Sequence, residues 1–261
     1  MTTNQIILTL LSLAFVFGAI VGSFLNVCIY RIPAGISVVS PRSRCPECES
    51  PIPWHLNVPI LSWLLLRGRC AACKTAISSR YPLIEFLNGL LYALVFYYFF
   101  ASWATPIYFV FVSMLVVITF IDVDHQIIPN VISFPGIIFG FISSFLVPWV
   151  FWFDSLLGII AGGGLLFLVA AGYKALSGKE GMGMGDVKLL AMIGAFLGWQ
   201  SILPVVFLGS LAGSLIGVPL MFLKKADGKS AIPFGPFLSL AALVYLFWWD
   251  SLFSWYQSLF Y

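Results

Sequence analysis

Apolar residues in this chain run on in long stretches, interrupted by short charged segments, rather than alternating with polar ones. A hydrocarbon core about 30 Å thick takes roughly 20 apolar residues of helix to cross, so the charge-free stretches are the units to count. Residues 6–29 form the first. The run from Phe86 to Ile121 is too long for one crossing and breaks at Ser102-Trp103-Ala104-Thr105-Pro106, because proline ends one helix and starts the next. The run from Leu189 to Leu223 divides likewise near Gln200, Ser201 and Pro204. Spans near 131–150, 155–173 and 236–255 bring the number to eight. The pattern predicts an all-α polytopic membrane protein of about eight transmembrane helices.

Composition agrees. The chain is 61% hydrophobic and 9% charged, against about 45–50% and about 25% in ordinary soluble domains. A soluble enzyme, a disordered chain and a secreted disulfide miniprotein are excluded. Cytoplasmic loops carry the Lys and Arg excess, and residues 31–80 hold Arg31, Arg42, Arg44, Arg67, Arg69, Lys74 and Arg80. With that segment inside, alternation also places Lys174, Lys179, Lys188, Lys224, Lys225 and Lys229 on the cytoplasmic side, which accounts for all 13 basic residues. Both termini then lie outside the cytoplasm. The net charge of +3 reflects this topology and contact with anionic membrane lipids rather than nucleic acid. Nothing before Ile6 is basic, so the first span reads as a retained anchor and not a cleaved signal. Three parts follow: a first transmembrane helix (1–30), a cytoplasmic loop domain (31–80) and a seven-helix membrane domain (81–261).

The loop domain is small for an independent core, but it carries two C-x-x-C pairs, Cys45 with Cys48 and Cys70 with Cys73. Each pair turns two thiolates to one side of a knuckle, and two knuckles complete a tetrahedral site for Zn²⁺. The gap between the pairs slightly exceeds the usual run of about 15–20 residues. A closed four-sulfur site is structural and lets so short a segment fold. Disulfides or thiol redox chemistry are the competing uses, and a cytoplasmic compartment disfavours the former. Cys28, inside the first span, reads as a buried small hydrophobe. His55 near the pairs is surplus to a site that four cysteines fill.

Ionisable residues at membrane depth point to function. Glu85, the pair Asp122 and Asp124, and Asp186 in Gly181-Met182-Gly183-Met184-Gly185-Asp186 all fall at the cytoplasmic mouth. Two carboxylates meeting there could perform acid–base chemistry on a peptide bond, because like charges a few Å apart cannot both ionise. Residues i and i+2 of a helix point in different directions, so only one of Asp122 and Asp124 faces Asp186. The glycines before Asp186 allow close backbone approach; close helix packing is their structural alternative. Glu85 could equally pair with Arg80 or Arg31. Lys188 either biases Asp186 or contacts headgroups, and His125 reads as a solvated loop residue.

Gly22-Ser23-Phe24-Leu25-Asn26-Val27, Tyr30-Arg31-Ile32-Pro33, Cys45-Pro46-Glu47-Cys48, Cys70-Ala71-Ala72-Cys73, Arg80-Tyr81-Pro82-Leu83-Ile84-Glu85, Ile121-Asp122-Val123-Asp124, Ile128-Pro129-Asn130 and Gly183-Met184-Gly185-Asp186-Val187-Lys188 follow in this order. Together they resemble the type IV prepilin leader peptidases, bifunctional G-x-G-D aspartyl proteases of the bacterial inner membrane that also act as N-methyltransferases. The resemblance implies catalysis by Asp122, seven residues before Pro129, and Asp186, with Asp124 the competing assignment. It implies cleavage of type IV prepilins or pseudopilins after a Gly at the cytoplasmic membrane face, then methylation of the new N-terminus with S-adenosylmethionine. For that cofactor the sequence offers only Glu85, Asn26 and Arg80 at the junction with the loop domain. A peptidase without methyltransferase activity, a proton- or cation-coupled transporter using the aspartates, and a membrane thiol oxidoreductase using the cysteines are the alternatives.

Overall fold

The computed structural model describes residues 2–178, 183–223 and 233–258. Among them all regular structure is helical: α1 (Thr3–Arg31), α2 (Leu61–Leu65), α3 (Arg80–Phe99), α4 (Ala104–His125), α5 (Asn130–Ser143), α6 (Trp152–Ser177), α7 (Met184–Leu197), α8 (Ile202–Leu223) and α9 (Gly235–Ser258). Short 3₁₀ turns cover Trp54–Leu56 and Trp199–Ser201. Among the described residues five helices are long and apolar enough to cross a membrane: α1, α3, α4, α6 and the stretch Trp199–Gly217, which takes in most of α8. Helix α5 and the stretch Gly235–Trp249 are apolar but shorter. Lys179, Gly181, Met182, Lys224, Lys225 and Lys229 lie outside the described residues.

The two expected breaks are present. Phe100 (φ 47°) ends α3, the Thr105 hydroxyl donates to the Phe100 carbonyl, and Pro106 falls in the first turn of α4. The Trp199–Ser201 turn separates α7 from α8, with Gly198 (φ 79°) closing α7. The segment expected near 131–150 is helical only to Ser143. There the Ser143 and Ser144 hydroxyls donate to the carbonyls of Gly140 and Phe141, a competition that favours turns over helix, and Pro148 prevents resumption.

The chain divides into two compact units, Met1–Val117 and Ile118–Tyr261. In the first, α1 packs along α3. A Cβ on Gly22 would lie 2.8 Å from the Glu85 Cα, so the two backbones approach as only glycine permits. Buried Asn88 donates to the Gly18 carbonyl at 2.7 Å, and Tyr92 and Ser113 share a 3.0 Å hydrogen bond. Polar groups in the hydrocarbon layer thus find partners within the protein. Buried Arg31 turns the chain into the loop domain by donating to the carbonyls of Ser37 (2.9 Å) and Pro41 (2.8 Å).

In the second unit α7 is the centre, buried along Val187 and from Leu189 to Leu197 and packed against α5, α6 and α9. Its closest neighbour is α6: a Cβ on Gly158 would lie 2.2 Å from the Gly194 carbonyl oxygen, and one on Gly162 2.6 Å from that of Leu190. The Ser155 hydroxyl donates across the same seam to Ala195 at 2.7 Å.

Candidate active site and metal centre

Asp122 lies in the last turn of α4 and is 5% exposed, whereas Asp124 is exposed. Helical geometry required such a split, and burial says which aspartate faces inward. Asp186 is the third residue of α7, in its first turn, where the N-terminal end of the helix dipole favours a carboxylate. Both groups border Ile128, which lies against Gly185, next to Asp186, and against Gly235, which touches Asp122. Ile128 packs beneath them: a Cβ on Gly185 would lie 3.0 Å from the Ile128 Cβ, so the glycine before Asp186 is needed for α7 to approach. Lys188, one turn-half beyond, donates to Asn130 Oδ1 at 2.7 Å and sits 5.5 Å from the Phe134 ring centroid, tying α7 to the start of α5.

Sequence reasoning missed one member. The Gly235 backbone N–H donates to Asp122 Oδ2 at 3.0 Å. Its only signal was the Pro233-Phe234-Gly235-Pro236 turn heading the last apolar run. Two carboxyls that come together at such a helix end can share a proton and polarise one water molecule between them.

The other polar candidates belong to the first unit and are engaged by the fold. Glu85 is buried; its Oε2 accepts the Ile60 N–H at 2.7 Å, and the Ser23 hydroxyl also bonds it. Ile60 has φ 62°, unusual for a β-branched residue, so this bond holds a strained turn of the loop domain. Asn26 donates to the carbonyls of Gly22 and Tyr81, and Arg80 begins α3. Glu85 and Asn26 thereby tie α1, α3 and the loop together. Cys28 is buried, and His55 packs edge-on against Trp54.

The four cysteines come together. Cys45 and Cys73 sulfurs lie 3.8 Å apart, those of Cys48 and Cys70 4.0 Å, and all four are within 4.8 Å of one another. Four Zn–S bonds of about 2.3 Å in a tetrahedron require S···S separations of about 3.8 Å, so the geometry fits. The two knuckles repeat one another: Cys45 N–H donates to Ser50 O and Cys70 N–H to Thr75 O, and isolated bridges join Arg44 to Pro51 and Arg69 to Ala76. The Ser50 hydroxyl and backbone amide draw the Cys48 thiol down to about 6, and the backbone amides of Cys73 and Ala72 draw Cys70 below its ordinary value. None of the cysteines is in a disulfide. The cluster could hold a metal such as zinc.

With this geometry, similarity to known proteins becomes decisive. Residues 16–99 match the bacterial peptidase A24 N-terminal domain, and residues 109–218 match the type IV leader peptidase family. A "prepilin leader peptidase/N-methyltransferase" of Aeromonas salmonicida is 39% identical over 95% of this chain and 94% of its own length. Its namesake in Neisseria gonorrhoeae is 38% identical over 89% of this chain and 88% of its own. The chain belongs to the type IV leader peptidase family. A "prepilin leader peptidase/N-methyltransferase" of Myxococcus xanthus is 41% identical over 82% of this chain and 64% of its own length. No solved structure matches. The two family matches meet between Phe99 and Phe109, so the cysteine loop falls in one and both aspartates in the other.

Proposed function

We propose that Asp122 and Asp186 are the catalytic pair of this family member, which is a prepilin leader peptidase and N-methyltransferase. The observation that supports this is the convergence of a buried aspartate from α4 with the aspartate that opens α7. The ionised carboxyl takes a proton from water as its oxygen attacks the scissile carbonyl, and the protonated one gives its proton to the carbonyl oxygen. The tetrahedral intermediate then expels the amine, which is protonated from the dyad. The pair titrates as one unit.

The substrates are type IV prepilins or pseudopilins, cut after a Gly. Their apolar helix lies in the bilayer and their short leader inside, which puts the scissile bond at the depth of the two aspartates. Helices α1 and α3 to α9 make eight crossings of the inner membrane, with both termini outside the cytoplasm, residues 31–80 as the inner loop domain and residues 81–261 as the membrane protease domain. Bound to Cys45, Cys48, Cys70 and Cys73, Zn²⁺ staples that loop. S-adenosylmethionine, when bound, supplies the methyl group for the new α-amine. The loop domain, with Glu85, Asn26 and Arg80 at its seam, orients that amine.

Co-expression with a prepilin and intact-mass measurement of the product tests both activities. The expected product has lost a leader-sized mass and gained about 14 Da for a methyl group. Recovery of full-length, unmethylated prepilin would refute the assignment.

A further inference from the structure

We infer that the Gly235 backbone N–H is the positioning donor that gives the two aspartates unequal roles, with Asp122 the base that activates water and Asp186 the proton carrier. This rests on the dyad proposed above and adds an asymmetry to it. An amide N–H can only donate, so it stabilises negative charge on Asp122 Oδ2, which receives it at 3.0 Å, and directs any proton on that carboxyl to Oδ1. The carboxylate is thereby fixed in one plane, with Oδ1 left to take a proton from water. Asp122 lies near the C-terminal end of α4, where its own helix dipole opposes negative charge. The compensation comes from the N-terminal end of α9, which begins at Gly235.

The start of α9 is built to offer this one donor. Pro236 has no N–H, and the N–H groups of Phe237 and Leu238 both bond to the Phe234 carbonyl. Of the first four residues only Gly235 has a free amide hydrogen, and it goes to Asp122. Glycine here is not a backbone requirement, because its φ is outside the left-handed region. It is a space requirement: a Cβ would lie 2.6 Å from Asp122 Oδ2, 3.2 Å from Cγ and 3.4 Å from Ile128 Cδ1. Any side chain would move the carboxylate that the N–H holds.

The test replaces Gly235 by glycolate through suppressor-tRNA incorporation, which exchanges N–H for an ester oxygen and adds no atom. Gly235→Ala, which keeps the donor but displaces the acceptor, is measured beside it. Losing a hydrogen bond to a charged group lowers prepilin kcat about 10- to 100-fold. KM stays within about twofold, and methylation of pre-cleaved pilin is unchanged in both variants. A glycolate variant with wild-type kcat overturns the inference. If the ester also abolishes methylation, Gly235→Ala decides: loss of kcat alone supports the inference, and an unchanged kcat overturns it. Asp122→Asn in the same assay separates the levels. Cleavage by Asp122→Asn refutes the dyad itself, whereas an inactive Asp122→Asn beside a normal glycolate enzyme refutes only the role of Gly235.

Discussion

Replacing Gly158 by alanine should damage cleavage from a helix that contributes no acid or base. The new Cβ would stand 2.2 Å from the Gly194 carbonyl oxygen and 2.7 Å from its carbon. Both neighbours are backbone, so no rotamer change relieves the clash, and α7 must shift from α6 by about 1 Å to restore ordinary contact. The Ser155–Ala195 hydrogen bond, now 2.7 Å, then stretches beyond bonding range. Overpacking costs about 1–3 kcal/mol and the lost bond about 1 kcal/mol. A displacement of about 1 Å carried along α7 to Asp186 lowers the cleavage rate about 100-fold. The assay is thermal melting of the purified protein in detergent, paired with prepilin cleavage. Gly164→Ala is the control, since a Cβ there meets nothing within 4 Å and alanine is favoured over glycine inside a helix by up to about 1 kcal/mol. Equal melting points and rates for the two variants would refute the account of the α6–α7 seam.

Two further outcomes are expected. Purified protein should contain one zinc per chain by elemental analysis, released by chelator or by acidification as protons compete for the thiolates; Cys48→Ser should bind far less, and metal-free wild type with an unaltered protease-resistant loop would contradict this. Glu85→Ala orphans the Ile60 N–H and should destabilise the turn by about 1–3 kcal/mol, seen as faster proteolysis near residues 57–61; unchanged digestion would refute that role for Glu85.

Much of this was legible in the sequence because each signal was a covalent or compositional constraint. The break between α3 and α4 follows from Pro106, and the two knuckles from their C-x-x-C spacing. The helix period required Asp122 and Asp124 to diverge, but only packing could bury one of them. Other features depend on contacts that leave no mark on residue type. The early end of α5 results from serine hydroxyls competing for helix carbonyls. Glu85 bonds a backbone amide in a strained turn, which charge counting could not find. Gly235 acts through an N–H that every residue except proline has, so nothing but its place against Asp122 distinguishes it.

The most direct test of the catalytic pair is the single-turnover cleavage rate of Asp122→Asn, Asp186→Asn and Asp124→Asn on one prepilin, with methylation of pre-cleaved pilin measured in parallel. The first two should fall at least about 1,000-fold while methylating normally, and Asp124→Asn should cleave within about threefold of wild type. Cleavage that survives at either position 122 or 186, or is lost only with Asp124, would contradict the account.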